Sequence, residues 1–492
     1  MSKHSLLDIL AGRAADAVVF VGAERNWTAA AVRDEIAALG ERLTDARVVA
    51  VLADNSPAWA IADLAALAAG VVHLPLPGFF NPDQLRHALE QSGADSVLTD
   101  QPERIGQLDL GFAIIGRWQG LTWLRRIVAP AALPAGTAKI SFTSGSTGAP
   151  KGVCLSAEGL ADTAQAVTRR LFDLPLQHHL AVLPLGLLLE NVAGLHAPLL
   201  REMPVHLPPL ASLGWQGMAG FNPAALHAAV EAAQPGSLIL VPELLKAWTL
   251  YLLASGQRPA ATLRFVAVGG ARVAPELLIQ ARQAGIPAYQ GYGLTECGSV
   301  VAINRPGDDG DDVGRPLEHA EIRVDNGEVK IRTRAFLGYA GSRSAPVDTE
   351  FATGDLGEFV GHGHLRLAGR RKNLLITSFG RNISPEWVES VLLAQPPILQ
   401  AVVIGEAEAS LSAVLVPRPG VADSEVEQAV VAANAQLPDY ARLGRWLRSP
   451  PFSPANGLAT GNGRPLRSAI IDRFAAVSAA HHPQEESLHV VL

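Results

Sequence analysis

Along the first half of the chain, short runs of consecutive apolar residues alternate with stretches of helical spacing. Val48-Val49-Ala50-Val51-Leu52, Val71-Val72-His73-Leu74 and Ser96-Val97-Leu98 predict strands, with helices between them at Ser56 to Ala68 and Asn81 to Gln91. Unbroken apolar strands belong to sheets buried on both faces, so this alternation predicts a mainly parallel sheet covered by helices. The pattern resumes with strands at Leu180 to Pro184, Ser237 to Val241 and Leu263 to Val268. Helices are predicted at Ser156 to Leu171 and Pro275 to Ala284, the second ended by Gly285.

After about Asp312 the texture changes. Glu321-Ile322-Arg323-Val324, Glu328-Val329-Lys330-Ile331 and His364-Leu365-Arg366-Leu367 alternate polar and apolar residues, as half-buried strands do, and Asp325-Asn326-Gly327 supplies a turn. A second change follows Gly369-Arg370-Arg371-Lys372. From there a small α+β module is predicted, with a helix at Pro385 to Leu392 and strands at Ala401 to Ile404 and Ser412 to Val416. The domain reading is therefore a large α/β domain over 1–370, β-rich from about 312, and a small α+β domain over 371–492. No internal repeat or coiled coil is visible.

Composition narrows the function classes. A chain of 492 residues exceeds one ordinary core, and 48% hydrophobic content suits a folded domain pair. The formal charge of -7 argues against a general nucleic-acid binder. The two cysteines, Cys154 and Cys297, have no metal-ligand spacing, which fits a reducing, cytoplasmic setting without a disulfide framework. The apolar stretches Ala58 to Leu76 and Leu180 to Leu200 are interrupted by ionisable residues, Pro and Gly, and are expected to be core pieces rather than membrane spans.

The most specific local signal is Ser141-Phe142-Thr143-Ser144-Gly145-Ser146-Thr147-Gly148-Ala149-Pro150-Lys151-Gly152. Small residues let backbone N–H groups converge on an anion, and the hydroxyls and Lys151 add donors. Composition alone more often yields a Ser/Gly-rich surface loop, and the Gly-Lys-Ser/Thr spacing of the common ATPase loop is absent.

The run resembles the signature loop of the adenylate-forming superfamily, which includes acyl-CoA synthetases. Further motifs follow in the family's order: Gly269-Gly270-Ala271, Tyr292-Gly293-Leu294-Thr295-Glu296, Thr353-Gly354-Asp355 and Gly369-Arg370. The resemblance implies an adenylate-forming fold with ATP, Mg²⁺ and a carboxylic acid as ligands. It assigns Thr143 to Gly148 and Lys151 to phosphate, with Thr143 and Glu296 as metal ligands. Gly270, Ala271, Tyr292 and Gly293 are assigned to adenine and the acyl pocket, Thr295 to phosphate, and Asp355 and Arg370 to ribose or phosphate. Lys372 becomes the hinge of a mobile small domain. Alone, Asp355 reads as a turn cap, Glu296 as a helix-start acid and Cys297 as a packing residue.

The run 369–385 resembles the long-chain fatty-acyl branch, as does Pro184-Leu185-Gly186 through Glu190, with Leu187 where that branch commonly has His. Near the end, Thr460-Gly461-Asn462-Gly463-Arg464 matches the frame of the family's catalytic lysine but presents Arg464, and no lysine follows Lys372. Arg381 and Phe379 likewise depart from a Lys and a Gly. The expected activity is ATP-dependent activation of an apolar, fatty-type acid to acyl-AMP and transfer to a thiol, CoA by default. Transfer to an acyl-carrier protein or another nucleophile stays open, as does a weakly active nucleotide- and acyl-binding protein. Both monomer and homodimer remain open. His178, His179, His362 and His364 suggest structural roles rather than a zinc set.

Overall fold

The computed structural model describes residues 5–143, 150–216, 220–308, 310–342, 350–378, 381–406, 408, 410–460, 463–479 and 488–490. The chain divides into two units. One comprises residues 1–270, 284–322 and 331–351; the other comprises 271–283, 323–330 and 352–492.

The first unit contains two large sheets. In the eight-stranded sheet, Val48–Leu52 lies between Val72–Pro75 and Ser96–Thr99, all parallel, and Thr137–Thr143 joins in parallel beside Val72–Pro75. Antiparallel strands complete both edges: Lys151–Ser156 and Phe336–Tyr339 on one side, Leu121–Arg125 and Ala113–Trp118 on the other. The strand Val48–Leu52 shows why the apolar run is unbroken. Val49 and Val51 enter one hydrophobic cluster with Trp59 and Leu64, while Val48, Ala50 and Leu52 enter another with Leu85 and Leu89. Alternate residues face opposite sides of a sheet, so both faces must be apolar.

Helix Pro57–Ala69 follows that strand, with the Ser56 side chain accepting from Trp59 N and Pro57 in its first turn. Its residues 57–66 are all buried. A helix apolar all round belongs inside a core, and among the described residues no helix is long and apolar enough to cross a membrane. Helices Pro82–Ser92 and Ala157–Arg170 likewise occupy the predicted positions to within a residue or two at each end.

The nine-stranded sheet is parallel through Val18–Val21, Val205–His206, His179–Leu180, Ser237–Leu240, Phe265–Val268 and Ala288–Leu294. It ends antiparallel at Ser299–Ile303 and Arg315–Pro316. The strand expected over 180–184 is confined to His179–Leu180. Leu183 N donates to the Glu190 carboxylate at 3.1 Å rather than to a neighbouring strand, and Pro184 has no N–H to offer.

The second unit carries the strand His364–Arg370, antiparallel to residues 355–360, and the turn at Asp325-Asn326-Gly327. Its C-terminal part is α+β. Strands Ile398–Ile404, Leu411–Pro417, Leu443–Arg448 and Leu488–Val490 form one sheet, accompanied by helices Pro385–Ala394, Asp423–Asn434 and Arg467–Ala479.

Candidate active site

In the first unit, Thr137–Thr143 and Lys151–Ser156 form an antiparallel hairpin in which Thr143 is the register partner of Lys151. The two residues therefore mark the open end of the predicted phosphate loop. Ser144, Gly145, Ser146, Thr147 and Gly148 lie outside the described residues. Thr143 is half-buried and Lys151 exposed.

Strand Ala288–Leu294 delivers the second motif. Tyr292 is buried, and the backbone shifts register between Tyr292 and Gly293 before entering a single 3₁₀ turn at Thr295–Cys297. A Cβ at Gly293 would overlap Ser299 O, so the close approach of the two strands requires glycine there. Thr295 and Glu296 emerge half-buried, while Cys297 turns inward and is buried.

Tyr339 connects these two pieces. Strand Phe336–Tyr339 pairs antiparallel with Lys151–Ser156, Tyr339 opposite Val153. The phenol donates to Glu296 Oε1 at 3.2 Å, and Lys151 Nζ lies 5.6 Å from the ring centroid. Burial, then the charge and acceptor of Glu296, push the phenol up to about 12. It stays a donor at any physiological pH. Nothing in the local sequence singles Tyr339 out, because its place beside Lys151 depends on strand pairing between distant segments.

In the second unit, Asp355 and Arg370 are register partners on adjacent strands, and Arg370 Nε meets Asp355 Oδ1 at 2.7 Å. Asp355 is buried and Arg370 half-buried. The turn before Asp355 is fixed by its own side chains: Thr353 Oγ1 donates to Val329 O at 2.7 Å and accepts from Asp355 N at 3.0 Å. Gly354 N donates to Glu328, which also pairs with Arg371 at 3.1 Å.

The chain matches the AMP-binding enzyme family over residues 8–333 and the AMP-binding enzyme C-terminal domain over 372–484. It belongs to the AMP-binding enzymes. Among curated relatives, the 2-succinylbenzoate–CoA ligase of Salmonella typhimurium is 32% identical over 403 residues, covering 77% of this chain and 78% of that protein. The long-chain-fatty-acid–CoA ligase FadD15 of Mycobacterium bovis is 27% identical, covering 78% and 75%. Among solved structures, the anthranilate CoA ligase AuaEII in complex with anthranoyl-AMP aligns with TM-score 0.80 and 20% identity over 98% of this chain and 100% of that one. The O-succinylbenzoate CoA synthetase MenE of Bacillus subtilis in complex with AMP aligns with TM-score 0.75 and 22% identity, covering 94% and 97%. These structures share the adenylate-forming fold expected from the sequence.

The remaining residues that the sequence resemblance assigns to the site lie as follows. Gly270 and Ala271, both exposed, follow strand Phe265–Val268. Lys372 is exposed in the 3₁₀ turn Arg371–Asn373. Arg464 is exposed on a tight turn where Thr460 N donates to Arg464 O at 2.8 Å and Arg464 N donates to Thr460 Oγ1 at 3.1 Å. Arg467 secures the turn's exit, donating to Val403 O at 2.7 Å and pairing with Glu389. Phe379 lies outside the described residues, and the Arg381 guanidinium sits 5.8 Å from the Tyr440 ring centroid.

His179 is buried between Ser237 Oγ and Glu190 Oε1, each at 3.0 Å. Among the described residues no group of three or more His, Cys, Asp or Glu is arranged to hold a metal ion. A magnesium ion travelling with a nucleotide asks less of the protein, because phosphates and water supply most of its oxygens. The hydroxyl of Thr143 and the carboxylate of Glu296 are hard oxygen donors of the right kind. Glu296 gives one hydrogen-bond acceptance to Tyr339, out of the ~four a carboxylate has.

Proposed function

We propose that the protein activates a carboxylic acid with ATP, giving acyl-AMP and pyrophosphate, and then transfers the acyl group to the thiol of CoA. The observation that carries this reading is the Lys151–Tyr339–Glu296 arrangement at the open end of the phosphate-loop hairpin. It gathers a cation and a carboxylate around one tyrosine, the two kinds of group that a magnesium triphosphate uses.

In this reading Lys151, Thr295 and the N–H groups of residues 144–148 bind the phosphates. Tyr292, Gly293, Gly270 and Ala271 border the adenine and acyl pockets, and Asp355 with Arg370 holds the ribose. Mg²⁺, held by Glu296 and Thr143, would neutralise charge on the phosphates. A carboxylate oxygen of the acid attacks the α-phosphorus, the bond to pyrophosphate breaks, and preorganised donors stabilise the charge that develops. Arg464 bridges the acid carboxylate and the α-phosphate with its planar fork, in the place of a lysine's point charge. The small domain turns about Lys372 before the thiolate attacks the acyl carbonyl and AMP leaves.

The acid is proposed to be apolar, fatty or aromatic. Leu187 and Leu189 are half-buried in the acyl segment, and Glu190, its one carboxylate, is wholly buried and committed to His179 and Leu183 N. A Cβ on Gly269 would lie 3.6 Å from Leu189 Cδ2, so an apolar wall borders the Gly269-Gly270 segment. The names of the CoA-ligase relatives support CoA as acceptor, while the acids they name, 2-succinylbenzoate and a long-chain fatty acid, differ from one another.

The test is pyrophosphate release from pure protein, ATP and Mg²⁺ across fatty, aromatic and hydroxy acids, with CoA, a holo acyl-carrier protein or neither. Acid-dependent release with acyl-CoA as product is expected. Release with acylated carrier protein alone would reassign the acceptor, and no release with any acid would leave a nucleotide-binding protein without ligase activity.

A further inference from the structure

Between the strand that carries the phosphate loop and the acyl segment lies a buried polar network that the reaction scheme above does not use. Asp63, 2% exposed, accepts four hydrogen bonds. Oδ1 receives Lys139 Nζ at 2.7 Å and His73 Nδ1 at 2.6 Å; Oδ2 receives Asn191 Nδ2 at 3.0 Å and His196 Nε2 at 2.6 Å. Lys139 also donates to Asn191 Oδ1. Four acceptances are about the full capacity of a carboxylate. Burial pushes Asp63 up, but Lys139, His73 and His196 together hold it well below the ordinary carboxylate range. It is therefore an anion, and both imidazoles are placed as donors toward it.

The four partners come from three elements. His73 and Lys139 are register partners on adjacent parallel strands, and Lys139 shares its strand with Thr143. Asn191 and His196 belong to a π-helix, Glu190–His196, in which Ala197 N donates to Val192 O. In an α-helix, residues five apart point roughly 140° from one another at about 100° per residue. The wider turn, closed by i to i+5 bonds, brings such residues near alignment. Asn191 and His196 can both reach one oxygen of Asp63 only because of it. The same π-helix begins at Glu190, and a Cβ at Gly194 would overlap Glu190 Oε1, so glycine makes room for the Glu190–His179 pair.

A buried charge network of this kind generally does not add stability over apolar packing of the same volume. What it fixes is geometry. We propose that Asp63, Lys139, Asn191 and His196 are positioning residues for acyl-adenylate formation, holding the phosphate-loop strand against the π-turn that opens the acyl segment. The proposal rests on the adenylation reading. An error on the order of 1 Å in bringing a carboxylate to phosphorus costs about 100-fold in rate.

Asp63→Asn alone strands a buried ammonium, so the test uses the charge-neutral pair Asp63→Asn/Lys139→Met and, separately, Asn191→Leu, which keeps the ion pair. Each is expected to melt near the wild-type temperature and to keep KM for ATP and acid within about threefold. The kcat of acid-dependent pyrophosphate release should fall about 100-fold. Wild-type kcat in a folded variant overturns the proposal. A crystal structure of either variant gives a readout independent of turnover. The 190–196 turn is expected to revert to α-helical hydrogen bonding, with Glu190 displaced from His179; an unchanged π-turn overturns the proposal even if no acid is found to be a substrate. Absence of turnover in the wild-type protein with a reverted π-turn in the variants would sink the adenylation reading and with it the catalytic part of the proposal, leaving only that the network holds the π-turn.

Discussion

Tyr339 and Glu296 meet through a single 3.2 Å hydrogen bond, and that bond joins two segments of the proposed phosphate site contributed by different sheets. Glu296 lies in the turn between the antiparallel strands Ala288–Leu294 and Ser299–Ile303 of the nine-stranded sheet, while Tyr339 lies on the edge strand beside Lys151 in the eight-stranded sheet. The bond orients a carboxylate on a half-buried turn. It also leaves the tyrosine ring beside the lysine whose position matters to phosphate.

Tyr339→Phe keeps the ring and removes the donor. A hydrogen bond to a charged group contributes ~1.5–3 kcal/mol when well formed; half-exposure argues for the lower end, so kcat for pyrophosphate release should fall about tenfold. Wild-type kinetics in Tyr339→Phe would remove Tyr339 from the site. The wild-type phenol should also titrate late. Its folded value is raised above the unfolded one, so its stabilising contribution is fully present below about pH 10 and lost only as pH rises through about 12. Tyrosinate absorbance of the wild type compared with Tyr339→Phe measures this directly.

Asp355→Asn should act on nucleotide binding. The carboxylate pairs with Arg370 at 2.7 Å and is held by the Thr353 turn, so the amide keeps the shape but loses the charge. KM for ATP is expected to rise about tenfold, equivalent to ~1.4 kcal/mol of lost uniform binding, with a smaller change in kcat. Initial rates at saturating acid decide it. An unchanged KM would show that Asp355 only caps its turn.

How far the sequence reached depended on whether a feature was local. Val48–Leu52 was legible because five apolar residues in a row have few alternatives to a strand buried on both faces. The helices after Ser56, Asn81 and Ser156 were legible from their helical spacing, and in the structure each starts at a side-chain cap acting within three residues. The site motifs were local too, which is why Thr143 with Lys151, and Asp355 with Arg370, could be named before their register was known. Tyr339 and Asp63 could not be found that way. Asp63 read only as an interruption in an apolar stretch, and its four partners meet it through packing of strands and a π-turn that no local periodicity encodes. The strand expected over 180–184 stopped at Leu180 for the same reason, since Leu183 N is taken by Glu190.

Arg464 should matter to the first half-reaction. Arg464 N donates to Thr460 Oγ1, and Arg467, three residues on, pairs with Glu389. Arg464→Ala is expected to lower acid-dependent pyrophosphate release about 100-fold, the scale of removing one donor from a charge-stabilising site. Thioester formation from supplied acyl-AMP should change less than about fivefold. Equal losses in both steps would contradict the role assigned to Arg464. Arg464→Lys separates charge from shape: recovery of most of the rate would show that a point charge serves as well as the fork.

Glu190 offers a test of the buried chemistry behind the acyl segment. Its carboxyl is wholly buried, and burial raises its folded value despite the hydrogen bonds from His179 and Leu183 N that oppose the shift. A protonated carboxyl can donate to His179 Nε2 while its other oxygen accepts from Leu183 N, leaving His179 Nδ1–H for Ser237. Because the folded value is raised, the stability of this arrangement is fully present below the unfolded carboxylate value of about 4.3 and is lost as pH rises through the folded one. Glu190→Gln reproduces the donor and the acceptor and cannot lose a proton. The melting temperature of Glu190→Gln relative to wild type should therefore increase between pH 5 and pH 8, by about 2 °C or more for a change of ~1 kcal/mol. A difference that stays constant or shrinks over that range would mean that Glu190 is already ionised in the folded protein.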